Sequence, residues 1–287
     1  MVALPVEGRW SIKPVHESDL HAVLAFLRRD PLINIYLISR LVEEPNPAAT
    51  QIFAIRHNGE LHLVAALGTN IVMAASPRPD PACLATALDL LAERIVGRML
   101  PVRAIISPER LVDLLWTRLR AHVDPPTVVR MTQPVYALRP RFGFPGLETV
   151  RYSTRADLDQ LVRACAAMHL EEVGIDPLER DAVAYAERIR ELVEKERSLV
   201  RVENGTIVAK CEFSAITEGA VQLMGVWTRP EYRRKGYGRR LLQEVSGHLF
   251  RKGKIVTLFV NDFNTPAVAM YEALGFERIG INRALIW

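Results

Sequence analysis

With 287 residues, the chain is long enough for one large domain or two ordinary ones. Its 49% hydrophobic and 24% charged residues are the composition of a folded globular protein and exclude disorder. A net charge of +4 is too mild to mark a nucleic-acid binder, no apolar run reaches the length of a membrane span, and the N-terminus lacks a basic-then-apolar secretory pattern. The three cysteines, Cys83, Cys165 and Cys211, are scattered and sit in apolar contexts. They make neither a disulfide framework nor a zinc spacing, so buried thiols in a reducing, cytoplasmic setting are expected, with no metal.

In chain order, a strand is expected near Trp10–Lys13 and helices over 18–29 and 31–43. Strand-like runs follow at about 51–57, 61–68 and 70–75, then helix 82–98, strand 102–107, helix 108–121 and strand 127–138. Periodicity breaks over Arg139-Pro140-Arg141-Phe142-Gly143-Phe144-Pro145-Gly146, which divides the chain into 1–140 and 147–287. The second part begins with strand 149–152, an amphipathic helix 154–170, a turn-rich link holding Gly174 and Pro177, and helix 178–195. Strands at 198–203, 206–215 and 220–228 come next, then helix 238–251, strand 255–260, helix 266–274 and a last strand running to Trp287. The element order of the first part returns in the second, although the sequence does not. The fold class is therefore α/β, with a mixed sheet flanked by helices in each part.

The chemistry concentrates after the 220–228 strand, in Arg233-Arg234-Lys235-Gly236-Tyr237-Gly238-Arg239-Arg240. Gly236 and Gly238 let backbone approach an anion without Cβ interference, and the first N–H groups of the following helix are unpaired and point at it. Arginines at a helix start oppose the dipole unless an anion sits between them, which favours a bound phosphate over a merely solvated face. The spacing is not that of a P-loop, since no Lys-Ser or Lys-Thr follows, nor of a dinucleotide fingerprint, since position 241 is leucine. The corresponding place in the first part, Ala75-Ser76-Pro77-Arg78-Pro79-Asp80-Pro81, has no glycine, and its prolines remove N–H donors.

A second pattern begins at Asn264-Thr265-Pro266-Ala267 and ends at Gly275-Phe276. Thr265 suits an N-cap, Pro266 the first helical position and Gly275 the left-handed residue that ends a helix. Asn264, Ala267 and Tyr271 are spaced i, i+3, i+7 and so share one face.

Together, Arg-x-x-Gly-x-Gly and the later Asn-x-x-Ala-x-x-x-Tyr-x-x-x-Gly-Phe resemble the GNAT superfamily of N-acetyltransferases over about residues 148–287. The resemblance implies two tandem GNAT-like domains, each with a mostly antiparallel mixed sheet, as in actinobacterial members whose N-terminal half is degenerate. Residues 1–140 would be that degenerate half, and 147–287 the half that binds acetyl-CoA as co-substrate. By the same resemblance, Arg233, Arg234, Lys235, Gly236, Tyr237, Gly238 and Arg239 would hold the phosphates. Backbone at Gly225, Val226, Trp227 and Thr228 would pair with the pantetheine arm, with Gly225 at a bulge that splays two parallel strands. Asn264 and Ala267 would line that arm, and Tyr271 would be the general acid beside the leaving thiolate.

A primary amine, on a protein lysine or a small molecule, is the implied acceptor, with neither nucleic acid nor membrane as partner. Its proton must leave before attack, yet the strand position where many relatives carry glutamate is Gln222 here. Glu172 and Glu171 in the link after the first helix are the candidate bases, with His169 and Glu212 behind them and Gln222 as a positioning residue. The missing strand glutamate also keeps open a non-catalytic acyl-CoA sensor.

Overall fold

The computed structural model describes residues 8–44, 50–99 and 102–287. Twelve strands and eight helices are assigned among them: β1 Trp10–Pro14, α1 Glu17–Leu27, α2 Ile35–Glu43, β2 Ile52–His57, β3 Glu60–Leu67, β4 Asn70–Ala75, α3 Pro81–Gly97, β5 Ala104–Pro108, α4 Glu109–Leu119 and β6 Val128–Leu138 in the first part. The second part holds β7 Val150–Tyr152, α5 Leu158–Val173, α6 Pro177–Glu194, β8 Ser198–Glu203, β9 Thr206–Ile216, β10 Ala220–Thr228, α7 Tyr237–Arg251, β11 Ile255–Phe259, α8 Thr265–Ala273 and β12 Glu277–Ile286.

Two compact units emerge, and neither is contiguous. One comprises Met1–Tyr136, Phe259–Val268 and Arg278–Trp287, the other Ala137–Leu258 and Ala269–Glu277. This departs from the expected division into 1–140 and 147–287, because the last strand of the chain belongs with the first part. β12 pairs antiparallel with β5, from Asn282↔Pro108 to Ile286↔Ala104, and buries Leu285 in the cluster built by α3 and α4. A strand's own residues state that it will be buried, not which edge will pair with it.

In the first unit the strand order is β1-β2-β3-β4-β5-β12-β6. Alternate residues of β3 enter opposite cores: Leu63, Ala65 and Leu67 face α3 and α4, whereas Val64 and Ala66 face α1 and α2. A strand covered on both faces reads as a continuous apolar run rather than an alternating one. The β2–β3 turn is Asn58-Gly59, both at positive φ, the pairing that a two-residue hairpin requires. Asp80 accepts the Cys83 N–H at 2.8 Å and caps α3, with Pro81 as its first residue.

The second unit runs β11-β10-β9-β8-β7. Helices α5 and α6 cover one face through Leu161, Cys165, Ile189 and Val193 against Val200 and Ile207. Helix α5 continues to Val173 and ends on Gly174 at φ +78°, so Glu171 and Glu172 lie in its last turn rather than in a link. On α7, the fully buried Glu244 anchors the chain entering β7. Its carboxylate accepts the N–H groups of Glu148, Thr149 and Val150 at 2.8 to 2.9 Å and the Thr149 hydroxyl and Arg240 Nε at 2.7 Å.

Strand β10 is irregular at Gly225. Its register against β9 shifts between Met224↔Glu212 and Trp227↔Lys210, so two residues of β10 oppose one of β9. Gly225 has φ +59°, and a Cβ there would stand 1.9 Å from Glu212 Oε2. Beneath the bulge, Lys210 Nζ donates to both Glu212 oxygens and to the Gly225 carbonyl, each at 3.0 Å, with Lys210 fully buried.

Gly225→Ala adds a strained left-handed residue and a clash with a buried carboxylate, so it should lower unfolding free energy by about 3 kcal/mol in urea denaturation. Gly205→Ala, also at positive φ (+75°) but with open space at its Cβ, should cost only about 1 kcal/mol. For Glu244, burial opposes the charge, but its backbone donors, Arg240 and Thr149 outweigh it and hold the carboxyl down to about 2, below its ordinary 4.5. Because the folded value is the lower one, this stabilisation is present above about pH 4.5 and is lost as pH falls through about 2. Glu244→Gln should therefore remove about 2 to 3 kcal/mol at neutral pH and flatten the acid limb of a stability–pH curve.

Candidate active site

The ladder between β10 and β11 is parallel and covers only Ala220↔Ile255, Val221↔Val256 and Gln222↔Thr257. The bulge follows at once, and beyond it Val226 and Thr228 continue β10 with half-buried side chains. Trp227 turns inward and is buried.

After β10 the chain makes a 3-10 turn at Pro230–Tyr232, and α7 starts behind Gly236, which is left-handed at φ +85°. Arg234 is left-handed as well, at φ +59°. Gly236 has open space at its missing Cβ, so conformation alone demands glycine there. Gly238 is glycine for another reason: a Cβ would stand 2.9 Å from Thr228 Oγ1, so it lets the first turn of α7 pack on β10. The helix thus begins beside the end of β10, with its first N–H groups free of intrahelical partners.

The basic residues of this loop divide into two sets. Arg234 and Arg239 are exposed and, among the described residues, have no ion-pair partner. Arg233 instead donates to Glu171, at 2.8 and 2.6 Å, and to the Thr228 carbonyl at 2.9 Å. Lys235 bonds the Glu231 carbonyl, and Tyr237 packs edge-on against Tyr232 under the Arg201 guanidinium. Arg240 is committed to Glu244 and Glu148 and stands outside any anion site.

On α8, Tyr271 is buried and packs on Phe276. Burial, and then the charge of Glu172, push its phenol well above the ordinary tyrosine value, so it stays protonated. Asn264 takes the cap position assigned to Thr265 from sequence, because its side chain accepts the Ala267 N–H at 3.3 Å. Asn264 and Ala267 count with the first compact unit and Tyr271 with the second.

Among the candidate bases, Glu171 is occupied by Arg233, whereas Glu172 is exposed and is the carboxylate that Tyr271 senses. Burial keeps the His169 imidazole below its usual value and hence neutral at pH 7. Gln222 is a buried strand residue whose Oε1 accepts the Ser214 hydroxyl at 3.1 Å. Glu212 is sealed away with Lys210, and Cys165 approaches it at 3.7 Å. Burial would pull the Lys210 ammonium down, but Glu212 more than offsets this and Lys210 remains charged, above its ordinary value. This cluster went unnoticed as a unit in the sequence. Its signal was available, since Lys210-x-Glu212 puts opposite charges on one face of an otherwise apolar strand. Cys165 and Cys211 are buried as expected, while Cys83 is only half-buried.

Known proteins resemble the chain in sequence and in architecture. The Acetyltransferase (GNAT) family model matches residues 160–276, and a domain of unknown function, DUF4081, matches residues 50–161. The N-alpha-acetyltransferase RimI of Mycobacterium tuberculosis is 33% identical over 142 residues, 47% of this chain and 82% of that protein. A GCN5-related N-acetyltransferase from Sphaerobacter thermophilus superposes with a TM-score of 0.65 at 18% identity, covering 98% of this chain and 96% of its own. A tandem GNAT protein from the clavulanic acid biosynthesis pathway matches over 97% of this chain and 98% of its own, with a TM-score of 0.51 at 13% identity. The mixed α/β architecture is shared with these structures, and the chain belongs to the GNAT family of acetyltransferases.

Proposed function

We propose that the chain transfers an acetyl group from acetyl-CoA to a primary amine, with residues 147–287 supplying the chemistry. The observation that carries this reading is the β10 bulge lying directly ahead of a glycine-capped helix start with two uncommitted arginines. The residues present fit the group. Left-handed Gly236 opens α7, Gly238 seats its first turn on β10 beside Thr228, and Arg234 and Arg239 supply positive charge near the first N–H groups. Arg233, steered by Glu171, and Lys235 complete the rim of that loop. Gly225, Val226, Trp227 and Thr228 would offer β10 backbone to the pantetheine amides.

Bound there, acetyl-CoA would supply the acyl group as a thioester. Tyr271 is protonated, so its hydroxyl is available to donate to the leaving sulfur. Val226 to Thr228 backbone N–H groups would stabilise charge on the carbonyl oxygen. Gln222, earlier on the same strand and fixed by Ser214 of β9, would position the reacting groups.

The acceptor that best suits this site is an α-amine. A lysine amine, with a reference pKa near 10.4, needs a strong base, whereas an α-amine near 8 is partly neutral at physiological pH. Here Glu171 is paired with Arg233, Glu212 is buried, and the exposed Glu172 is engaged electrostatically with Tyr271. The N-alpha specificity named for the M. tuberculosis relative points the same way. The same scarcity of bases favours a second reading, an acyl-CoA sensor without turnover.

Free-thiol release from acetyl-CoA should be measured with a peptide bearing a free α-amine, its N-blocked form with an internal lysine, and small amines. The α-amine peptide should react fastest, with kcat/KM rising toward about pH 8. Tyr271→Phe should lower kcat about 100-fold while leaving acetyl-CoA affinity within about twofold. Release unaffected by Tyr271→Phe contradicts its role, and binding without release on any amine supports the sensor.

A further inference from the structure

The first unit carries a cluster that the acetyl-transfer reading does not use. His57 ends β2 and His62 lies on β3, while Cys83 lies in the first turn of α3. One ligand atom from each falls within 4.8 Å of the other two. The backbone explains the convergence. His57 is opposite Glu60 in the β2–β3 register, and His62 is the extra residue of a bulge between Arg56↔Leu61 and Ile55↔Leu63, which brings its ring to the side of His57. Trp10 of β1 is opposite His57 and belongs to the same face.

These rings are ordered. Trp10 stacks on His57 with centroids 4.6 Å apart and meets His62 at 5.5 Å, and the two imidazoles are 6.0 Å apart. The Asn58-Gly59 turn holds the hairpin, and Asn58 accepts the Arg9 N–H at 2.9 Å, tying the turn to the residue before β1. His62 Nε2 is buried and has no hydrogen-bond partner among the described residues, a condition that normally costs free energy. Asp80 takes the Cys83 N–H through its carboxylate and also faces the thiol, and Glu60 adds a second negative charge near that sulfur. His57, His62 and Cys83 are each half-buried, so solvent reaches the cluster.

Two imidazoles and a thiol at this separation, with a carboxylate behind the sulfur and an orphaned ring nitrogen between, form a donor set for a soft-to-borderline dication. The geometry points to a zinc-type metal site formed by His57, His62 and Cys83, with Asp80 as fourth ligand or as the group that orients the sulfur. Tetrahedral zinc with bonds of 2.0 to 2.3 Å places ligand atoms about 3.5 Å apart, which small side-chain rotations reach from the present separation. Binding replaces the thiol hydrogen, so each metal bound releases one proton from Cys83. Its consequence would be structural. The metal would clamp the β2–β3 hairpin to the start of α3, in the unit whose own β4–α3 segment is rich in proline. This inference goes beyond acetyl transfer and does not depend on it.

The test is a Co(II) titration of the tag-free, metal-stripped full chain, read by absorption and by tryptophan emission, followed by displacement with Zn(II). One equivalent should give tetrahedral cobalt bands with a thiolate-to-cobalt transition and quench the emission of Trp10, and Zn(II) should reverse both. Zn(II) should also raise Tm in the wild type. Cys83→Ser should abolish the thiolate transition, and His62→Ala should weaken binding at least tenfold. Either variant should show little Tm response to Zn(II). A thiolate transition that survives Cys83→Ser, affinity unchanged in both variants, or no cobalt bands in the wild type would overturn the site. Should His62→Ala not fold, His57→Gln read by the same bands decides between these outcomes.

Discussion

The second unit is organised around a buried ion pair. Lys210 and Glu212 sit two residues apart on β9, out of solvent, and the ammonium reaches across to the Gly225 carbonyl of β10. Removing two charges from water costs several kcal/mol each, and the attraction between them returns this only with good geometry and further hydrogen bonds. Both conditions are met here by two 3.0 Å contacts within the pair and a third to the bulge. The pair fills the volume a Cβ at position 225 would take, which explains why the bulge is at a glycine. Loss of one partner alone would leave a buried charge, at a cost of about 3 to 5 kcal/mol. The shape of β10 therefore depends on β9 chemistry sealed away from solvent.

Contrast between the two parts of the chain follows from backbone chemistry as much as from side chains. After β10, Gly236 supplies a left-handed residue and α7 begins with its N–H groups available. After β4, the chain spends the same position on Pro77, Pro79 and Pro81, and the side chain of Asp80 caps α3. A helix start already capped by its own carboxylate is a poor place for a phosphate. The first part instead gathers two histidines on the β2–β3 hairpin beside Cys83 in the first turn of α3.

Much of this was legible in the sequence because local signals agreed. Apolar runs placed the strands within a residue or two, and Gly275 adopts the left-handed conformation its position at a helix end implied. What sequence could not disclose was partnership. Strand β12 reads as an ordinary last strand of the second part, yet it completes the sheet of the first, since β-pairing is specified by edges and register rather than by composition. Glu171 reads as a free carboxylate, and only folding brings it to Arg233 across a 62-residue separation. Asn264 and Thr265 are both good caps, and the chain uses the asparagine, whose side chain reaches the Ala267 N–H. Gly238 was expected to face an anion, and its tight contact turns out to be with Thr228.

The central claim is that the bulged β10 edge and the glycine-capped start of α7 form an acyl-CoA site, and calorimetric titration with acetyl-CoA tests it most directly. The wild type should bind one equivalent with a Kd in the micromolar range, on the order of −8 kcal/mol. An Arg234→Glu/Arg239→Glu variant should bind at least tenfold more weakly while unfolding at the same temperature. No heat of binding in the wild type, or equal affinity in the folded variant, would contradict the account.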